Sequence, residues 1–496
     1  MNGKTFALAV LALTVLRAAF VSFEDISPDE AYFALCAQHP AAAYFDGPPG
    51  TMALAALGEV VHAPDVVWRW WAPIWGLVAT LACYLLVRTL DNPRRAAWAA
   101  LALNALPIFN ACAVRVRPEL PALAFVLLGL WCAWRALQAA PGAAARPWLG
   151  AAAAFTLAAQ FSYIALWVLP GLALHTLCSR KHHRGQDFFG LALVFVLPAA
   201  ALGPALSWNA VYEWVPVFPG TFRSLWEFSL GGFVSSLARL VDKFSPILLF
   251  VFLAAWVVAM RQARVHVRAR FVALGTLPLL VLAMYSLWRD ADPVFSLLLA
   301  APLLIYQALV WLQGGRFGPA LFGTGAGLAV IFSVLSLGRT FEDGLGWGRA
   351  AAEFKDAFSE HSDAGHEGIF LIAGDAPLAS VMGYYLREDL MPPPGYPAVF
   401  EGESQDLSSQ FGIWPGYDDF VESEKVVDEY FTEQKGENPF VGRSALYLSR
   451  EPADEVPQTI KAAFESVTLL KELPPAGGGK EPLYLYFCLN YQTLPL

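Results

Sequence analysis

The sequence predicts an α-helical polytopic membrane protein of about eleven transmembrane helices, followed by a small C-terminal extracytoplasmic α/β domain. Three observations carry this. Apolar runs near 20 residues recur through the first two thirds of the 496-residue chain, each long enough to span a hydrocarbon core of about 30 Å. Mean hydropathy is +0.48 and 57% of residues are hydrophobic, so a soluble fold would have to bury helix after helix that is apolar on every side. After Leu337 hydropathy falls, and short buried-strand patterns alternate with helical ones.

The spans read as 5–22, 66–88, 96–114, 119–138, 148–161, 163–178, 187–206, 244–260, 271–288, 293–312 and 318–338. The fifth and sixth are short enough to be one broken helix. The first could be taken for a cleaved signal peptide. Only Lys4 precedes it, Arg17 lies inside it and no small-residue cleavage site follows before Phe23, so it reads as a retained helix. An odd number of spans puts the termini on opposite sides. Arg94, Arg95, Arg146, Arg180, Lys181, Arg184, Arg261, Arg264, Arg268, Arg270 and Arg316 all fall on one set of loops, which marks the cytoplasm. The N-terminus is then cytoplasmic. The first loop, 208–243, 289–292 and everything after Arg339 lie outside, in a periplasm or its equivalent. The expected membrane domain is 1–339, with its first outer loop at 23–65, and the expected soluble domain is 340–496.

Within that soluble domain, 347–358 has helical spacing, 368–373 is a buried-strand run and a helical stretch follows to about Tyr385. Residues 445–448 and 483–489 read as strands with a helix at 459–464 between them, and 391–397 and 474–479 are Pro/Gly loops. The first loop reads as two short interfacial helices, 28–38 and 50–61, the former presenting Ala31, Phe33, Ala34 and Leu35 to the membrane surface.

Composition also excludes. Cys83, Cys112, Cys132 and Cys178 fall inside spans, and Cys36 and Cys488 are far apart, so no disulfide framework or metal-type spacing appears. The eight His residues show no zinc-ligand spacing. From Arg339 onward 27 acids face 11 bases within a net charge of −9, which argues against nucleic acid as a partner.

The chemistry is expected in the first loop, where residues 23–65 hold seven Asp/Glu and no Lys or Arg. Carboxylates at a membrane boundary are costly and usually functional. Ser27-Pro28-Asp29-Glu30 is a capping box, which accounts for Glu30 and only weakly for Asp29. Asp46, before Pro48-Pro49, is either a turn acid or a metal-ligating or orienting carboxylate. Arg69, Arg115 and Arg117, with Arg223 and Arg289, stand on the side whose loops are otherwise poor in bases. They either snorkel toward headgroups or bind a lipid phosphate. Glu119 follows Pro118 at a helix start, where the dipole favours an acid. Trp208, Asn209, Trp214 and Trp226 occupy an outer loop, as interfacial aromatics do, and sugar stacking is the functional alternative.

Pro28-Asp29-Glu30-Ala31-Tyr32 and Tyr44-Phe45-Asp46-Gly47-Pro48-Pro49 together resemble the lipid-linked-sugar glycosyltransferases, and more narrowly the bacterial relatives of protein O-mannosyltransferases and lipid A aminoarabinose transferases. Arg69, Arg117-Pro118-Glu119-Leu120-Pro121, the stretch 163–171, Trp208-Asn209 and Gly346-Trp347 extend the resemblance along nearly the whole chain. It implies a GT-C fold, an active site at the outer face and a polyprenyl-phosphate sugar donor. It assigns Asp29 as general base and Asp46 as a metal or orienting residue, with Glu30 and Glu119 beside them. Tyr32, Tyr44, Pro48, Pro49, Trp208 and Asn209 become the substrate-loop residues. The implied reaction is sugar transfer with inversion to an acceptor hydroxyl on lipid A, a protein, a glycan or a lipid, with a divalent metal ion as one reading of Asp46. Four positions depart from the family pattern. Gly47 stands where His or Lys is usual, Glu119 where Asp is usual, Ser162 near a usual Lys, and Tyr212 where His is common. The rival reading is a non-catalytic lipid carrier or flippase, which needs the Arg residues but not Asp29. An oligosaccharide-transferring ligase is a further rival, and the first-loop acids argue against it.

Overall fold

A computed structural model describes residues 2–60, 68–140, 142–179, 185–212, 214, 230–288, 292–312, 318–363, 368–387, 390, 396–402, 409–417, 438–479 and 481–492. The chain forms two compact units, Met1–Phe23 with Ala41–Thr340, and Glu24–Pro40 with Phe341–Leu496.

The first unit is helical. Among the described residues of the chain, six helical runs are long and apolar enough to cross a membrane, and eight if each of two bent pairs counts as one span. Six of the eleven expected spans appear as long helices, among them Gly3–Phe23, Trp71–Leu90, Glu119–Gln138, Val267–Trp288 and Val294–Leu312. The rest are shorter or broken. Span 96–114 divides into Pro93–Asn104 and Pro107–Cys112, because Pro107 cannot continue the helical ladder. Span 148–161 is the 15-residue helix Ala145–Ala159. A 3-10 turn, Tyr163–Trp167, leads into helix Val168–Cys178. Gly185–Ala201 bends by 46° into Gly203–Val211. A helix also stands where a loop is expected. Leu230–Phe244 buries Gly232, Ser236, Leu240 and Phe244, one residue per turn, before a 94° bend into Pro246–Gln262.

Helices here approach through glycine, as expected where packing rather than water drives association. A Cβ on Gly171 would lie 2.3 Å from the Leu274 carbonyl, and one on Gly190 2.1 Å from the Trp148 ring.

The second unit is an α/β layer on a five-stranded sheet of order β2-β1-β3-β5-β4. The strands are β1 Phe370–Ala373, β2 Phe400–Glu401, β3 Ala445–Ser449, β4 Phe464–Leu473 and β5 Leu483–Tyr491. β1 runs parallel to β2 and β3, and β5 is antiparallel to β3 and β4. Helices Trp347–Asp363, Ala376–Leu386 and Gln458–Ala463 complete the unit. Phe370, Phe400, Tyr417, Phe440, Phe464 and Tyr491 pack in one aromatic core.

The first-loop helix Pro28–Gln38 belongs to this second unit, packed on Ala376–Leu386. Ala31, Phe33, Ala34 and Leu35 do not face a membrane surface, since they are 0%, 9%, 3% and 6% exposed. Gly383 makes the contact close, because a Cβ there would lie 2.9 Å from Leu35 Cδ1. A helix apolar on every side belongs in a protein core rather than at an interface.

Candidate functional site

The expected site residues divide between the two units, and each group has its own frame. In the second unit, Ser27 Oγ accepts from the Glu30 N–H at 3.4 Å. Glu30 Oε2 accepts in return from Ser27 N at 3.2 Å and from Ser27 Oγ at 2.9 Å. Glu30 is completely buried, while Asp29, one residue earlier in the same first turn, is exposed. Two further first-loop acids face backbone. Asp25 Oδ2 accepts from Gly348 N at 3.3 Å, at the start of helix Trp347–Asp363. Buried Glu24 lies so close to Gly344 that a Cβ there would fall 2.5 Å from its Oε1. Gly346, at φ +85°, turns the chain into that helix, and Trp347 beside it is 1% exposed. Tyr32, three residues past Asp29, accepts through Oη from the Gln410 N–H at 3.1 Å.

In the first unit, Tyr44 and Gly47 exchange backbone hydrogen bonds at 2.9 and 3.0 Å and close a tight turn around Phe45 and Asp46. Asp46 sits exposed at its tip. Gly47 has φ +135°, a conformation open to glycine and strained for other residues, so its departure from the family pattern coincides with a backbone requirement. Pro48-Pro49 then carries the chain to Gly50, whose N–H donates to the Gln160 carbonyl at 2.8 Å. Ala43 packs with Ala159, Leu202 and Ala205, and with Tyr163 and Trp208 around them. Ser162 caps the turn holding Tyr163 by accepting from Ile164 N at 3.2 Å. Asn209 Nδ2 donates to Tyr163 Oη at 3.3 Å and to Ala205 O at 2.7 Å. Asn209 Oδ1 is buried and accepts nothing among the described residues. An orphaned buried acceptor costs about 1–3 kcal/mol and asks for a functional reason. Trp208 lies 4.5 Å from the Tyr212 ring. Tyr44, Pro48, Pro49, Tyr163, Trp208 and Asn209 thus share one neighbourhood with the Asp46 turn.

The arginines are held at helix ends. Arg69 stands two residues before helix Trp71–Leu90 rather than a turn inside it, is 3% exposed, and donates to Val21 O at 3.2 Å. Arg115 is 8% exposed and donates to Thr340 O. The Val21 carbonyl belongs to the last turn of its helix, where the dipole favours a cation, and Thr340 stands four residues before the end of helix Gly318–Gly344. Arg117 lies 3.9 Å from Glu119, the first residue of helix Glu119–Gln138. Arg223 and Arg289 lie outside the described residues, as does Trp226.

Sequence reasoning missed Arg17 as part of this frame. It is 5% exposed inside the first helix, and donates to Asn104 Oδ1 at 2.8 Å and Asn110 Oδ1 at 2.5 Å. The two asparagines flank the break before Pro107, and Asn110 also donates to Asn104 O at 2.8 Å. Arg17 therefore fixes the broken third span that leads to Arg115 and Arg117. Its signal in the sequence is a charge within an apolar run.

Among the described residues, no three His, Cys, Asp or Glu side chains gather as metal ligands. The described donor set around Asp46 does not fit a divalent ion.

A sequence model of the dolichyl-phosphate-mannose-protein mannosyltransferase family matches residues 46–208, which takes in the Asp46 turn, the arginines at 69, 115 and 117, and Trp208. No curated protein matches the chain in sequence. Among solved structures, ArnT from Cupriavidus metallidurans in its apo state is similar with a TM-score of 0.60 at 14% identity, covering 98% of both chains. The same protein bound to undecaprenyl phosphate gives a TM-score of 0.59 at 15% identity, covering 100% of both. The chain is thus a multi-pass membrane protein with the GT-C fold of ArnT, and its residues 46–208 are similar to the mannosyltransferase family.

Proposed function

We propose that this chain is an inverting glycosyltransferase that moves a sugar from a polyprenyl-phosphate donor to an acceptor hydroxyl at the outer face of a bacterial inner membrane. The observation that carries the reading is the partition of the first-loop acids. Glu30 is tied into its capping box, Asp25 accepts from the Gly348 N–H and Glu24 is buried, whereas Asp29 and Asp46 are exposed in tight turns. The GT-C fold and the undecaprenyl phosphate bound by the similar ArnT support a lipid-phosphate donor.

The chemistry follows from that partition. An acceptor hydroxyl is a weak nucleophile at neutral pH. Asp29 takes its proton as the new bond to the anomeric carbon forms. The bond from that carbon to the phosphate oxygen breaks at the same time, and the lipid phosphate leaves with the electron pair. Arg69, Arg115 and Arg117 stabilise the charge that collects on it. Asp46 orients the sugar, with Tyr44, Trp208 and Asn209 around it. The arginine-rich loops support a cytoplasmic N-terminus and an extracytoplasmic second unit.

Asp29→Asn separates this from a carrier or flippase. The variant is expected to lose transfer roughly 10²–10⁴-fold while binding polyprenyl phosphate as the wild type does. Unchanged transfer would remove Asp29 from the mechanism. A product that retains the donor's anomeric configuration would rule out single displacement.

A further inference from the structure

A pocket lies wholly within the second unit, at the far end of the helix that carries Asp29. It is a cavity of about 140 Å³ whose lining includes Gln38, His39, Arg387, Tyr396, Phe411 and Trp414. It is smaller than sites for drug-sized ligands, about 300–1,000 Å³, and suits a single ring.

Its walls differ in chemistry. One is aromatic. Trp414 is half-buried and meets Phe411 edge-on at 5.2 Å. Such rings present an apolar face to the C–H groups of a ligand. Planar polar groups stand beside this aromatic wall. His39 lies 4.9 Å from the Trp414 ring. Burial pushes its pKa below the ordinary histidine value, so the neutral imidazole offers one donor and one acceptor. Arg387 stacks on Tyr384 at 4.1 Å and donates to the Tyr384 carbonyl at 2.7 Å, which fixes its guanidinium plane. Exposed Gln38 adds an amide. Among the described residues no carboxylate lines the cavity. An aromatic face flanked by several planar hydrogen-bonding groups is complementary to a pyranose ring, apolar on its C–H face and polar around its rim.

The pocket is also tied to Asp29. Trp414 N donates to Gln410 O at 3.0 Å, and Gln410 N donates to Tyr32 Oη at 3.1 Å. Tyr32 therefore links the turn bearing Phe411 and Trp414 to the helix bearing Asp29. Gln38 stands nine positions beyond Asp29 on the helix, about 14 Å at 1.5 Å per residue. That exceeds the span of one pyranose ring.

We propose that this pocket holds a sugar ring of the acceptor, remote from the hydroxyl that attacks, so that the acceptor is a glycan or glycolipid. This rests on the glycosyl-transfer reading above and narrows it, because a simple hydroxyl acceptor would leave the pocket without a role.

Saturation-transfer NMR on the full chain in detergent, with methyl glycosides of glucose, mannose, galactose and N-acetylglucosamine in both anomeric forms, tests it. At least one glycoside should receive saturation. Trp414→Ala should weaken it about tenfold or more. Gln38→Ala and His39→Gln, milder changes at the helix end, should weaken it less, with unaltered melting curves. Asp29→Asn should leave it unchanged. Absence of saturation across the panel, or saturation indifferent to all three pocket variants, overturns the proposal. Transfer lost in Asp29→Asn with no glycoside bound would sink the pocket and keep the enzyme. Glycoside bound with transfer indifferent to Asp29→Asn would do the reverse.

Discussion

Ser27 and Glu30 show how an acidic pair can be divided between architecture and chemistry. Glu30 closes a capping box, and its neighbour Asp29 is left exposed one position earlier. Glu30→Gln keeps an acceptor for Ser27 and should keep most transfer, whereas Ser27→Ala should cost about 1 kcal/mol of stability, read as a lower melting temperature. This much was legible in the sequence because the capping box spans only four residues. Arg17 was not, since its partners lie 87 and 93 residues away. Gly47 became intelligible only with its φ of +135°. Gly47→Ala should destabilise the Asp46 turn by roughly 1–3 kcal/mol, and Gly47→Lys, which restores the family's basic residue, should do no better in a thermal melt. Glu401 supplies a pH dependence. Burial raises its pKa above the ordinary glutamate value, against the Ser409 hydroxyl that donates to it at 2.7 Å. The folded state then binds the proton more tightly than the unfolded state. Its contribution is full below the unfolded pKa, near 4.3, and is lost as pH rises through the folded value. The melting temperature of the wild type should therefore fall more than that of Glu401→Gln as pH is raised from 4. Parallel curves would exclude the effect.

At the scale of elements, long apolar periodicity was read correctly and breaks were not. Asn104 and Asn110 rescue the backbone around Pro107 through contacts that no local pattern encodes. β4 escaped because most of its residues are exposed and its sequence, Phe464–Leu473, lacks a buried-strand run. Helix Pro28–Gln38 was placed correctly in sequence and wrongly in space. Its apolar residues could equally face lipid or protein, and only the packed helix Ala376–Leu386 decides it. Two glycines test how tightly the first-loop elements are seated. A Cβ on Gly50 would lie 2.4 Å from the Gln160 carbonyl, which is backbone and cannot yield locally. At Gly383 the obstacle is Leu35 Cδ1 at 2.9 Å, the end of a flexible side chain. Gly50→Ala should lower the melting temperature and transfer substantially, and Gly383→Ala should be mild. Equal effects would mean that the Gly50 contact does not set the position of the Pro48-Pro49 segment.

Across the whole molecule, the chain passes between its two units three times, after Phe23, Pro40 and Thr340. The second unit is therefore not an appendage that begins at Phe341. It includes residues 24–40, and with them the proposed base Asp29. Eight of the eleven residues of helix Pro28–Gln38 are buried in the full chain. Ending the chain at Thr340 would strip away the Ala376–Leu386 helix, the Gln410 N–H that Tyr32 accepts and the Gly348 N–H that Asp25 accepts. The first loop would then expose an apolar helix with no cover, at a cost of roughly 25 cal/mol for each Å² returned to water. A detachable specificity domain would leave transfer intact and broaden the range of acceptors. The shared architecture demands the opposite outcome. A chain truncated after Thr340 should transfer to no acceptor at all, and limited proteolysis should cut it within 24–40, a segment protected in the full chain. Transfer by the truncated chain to any acceptor would show that Asp29 is positioned without the second unit, and would separate catalysis from that unit altogether.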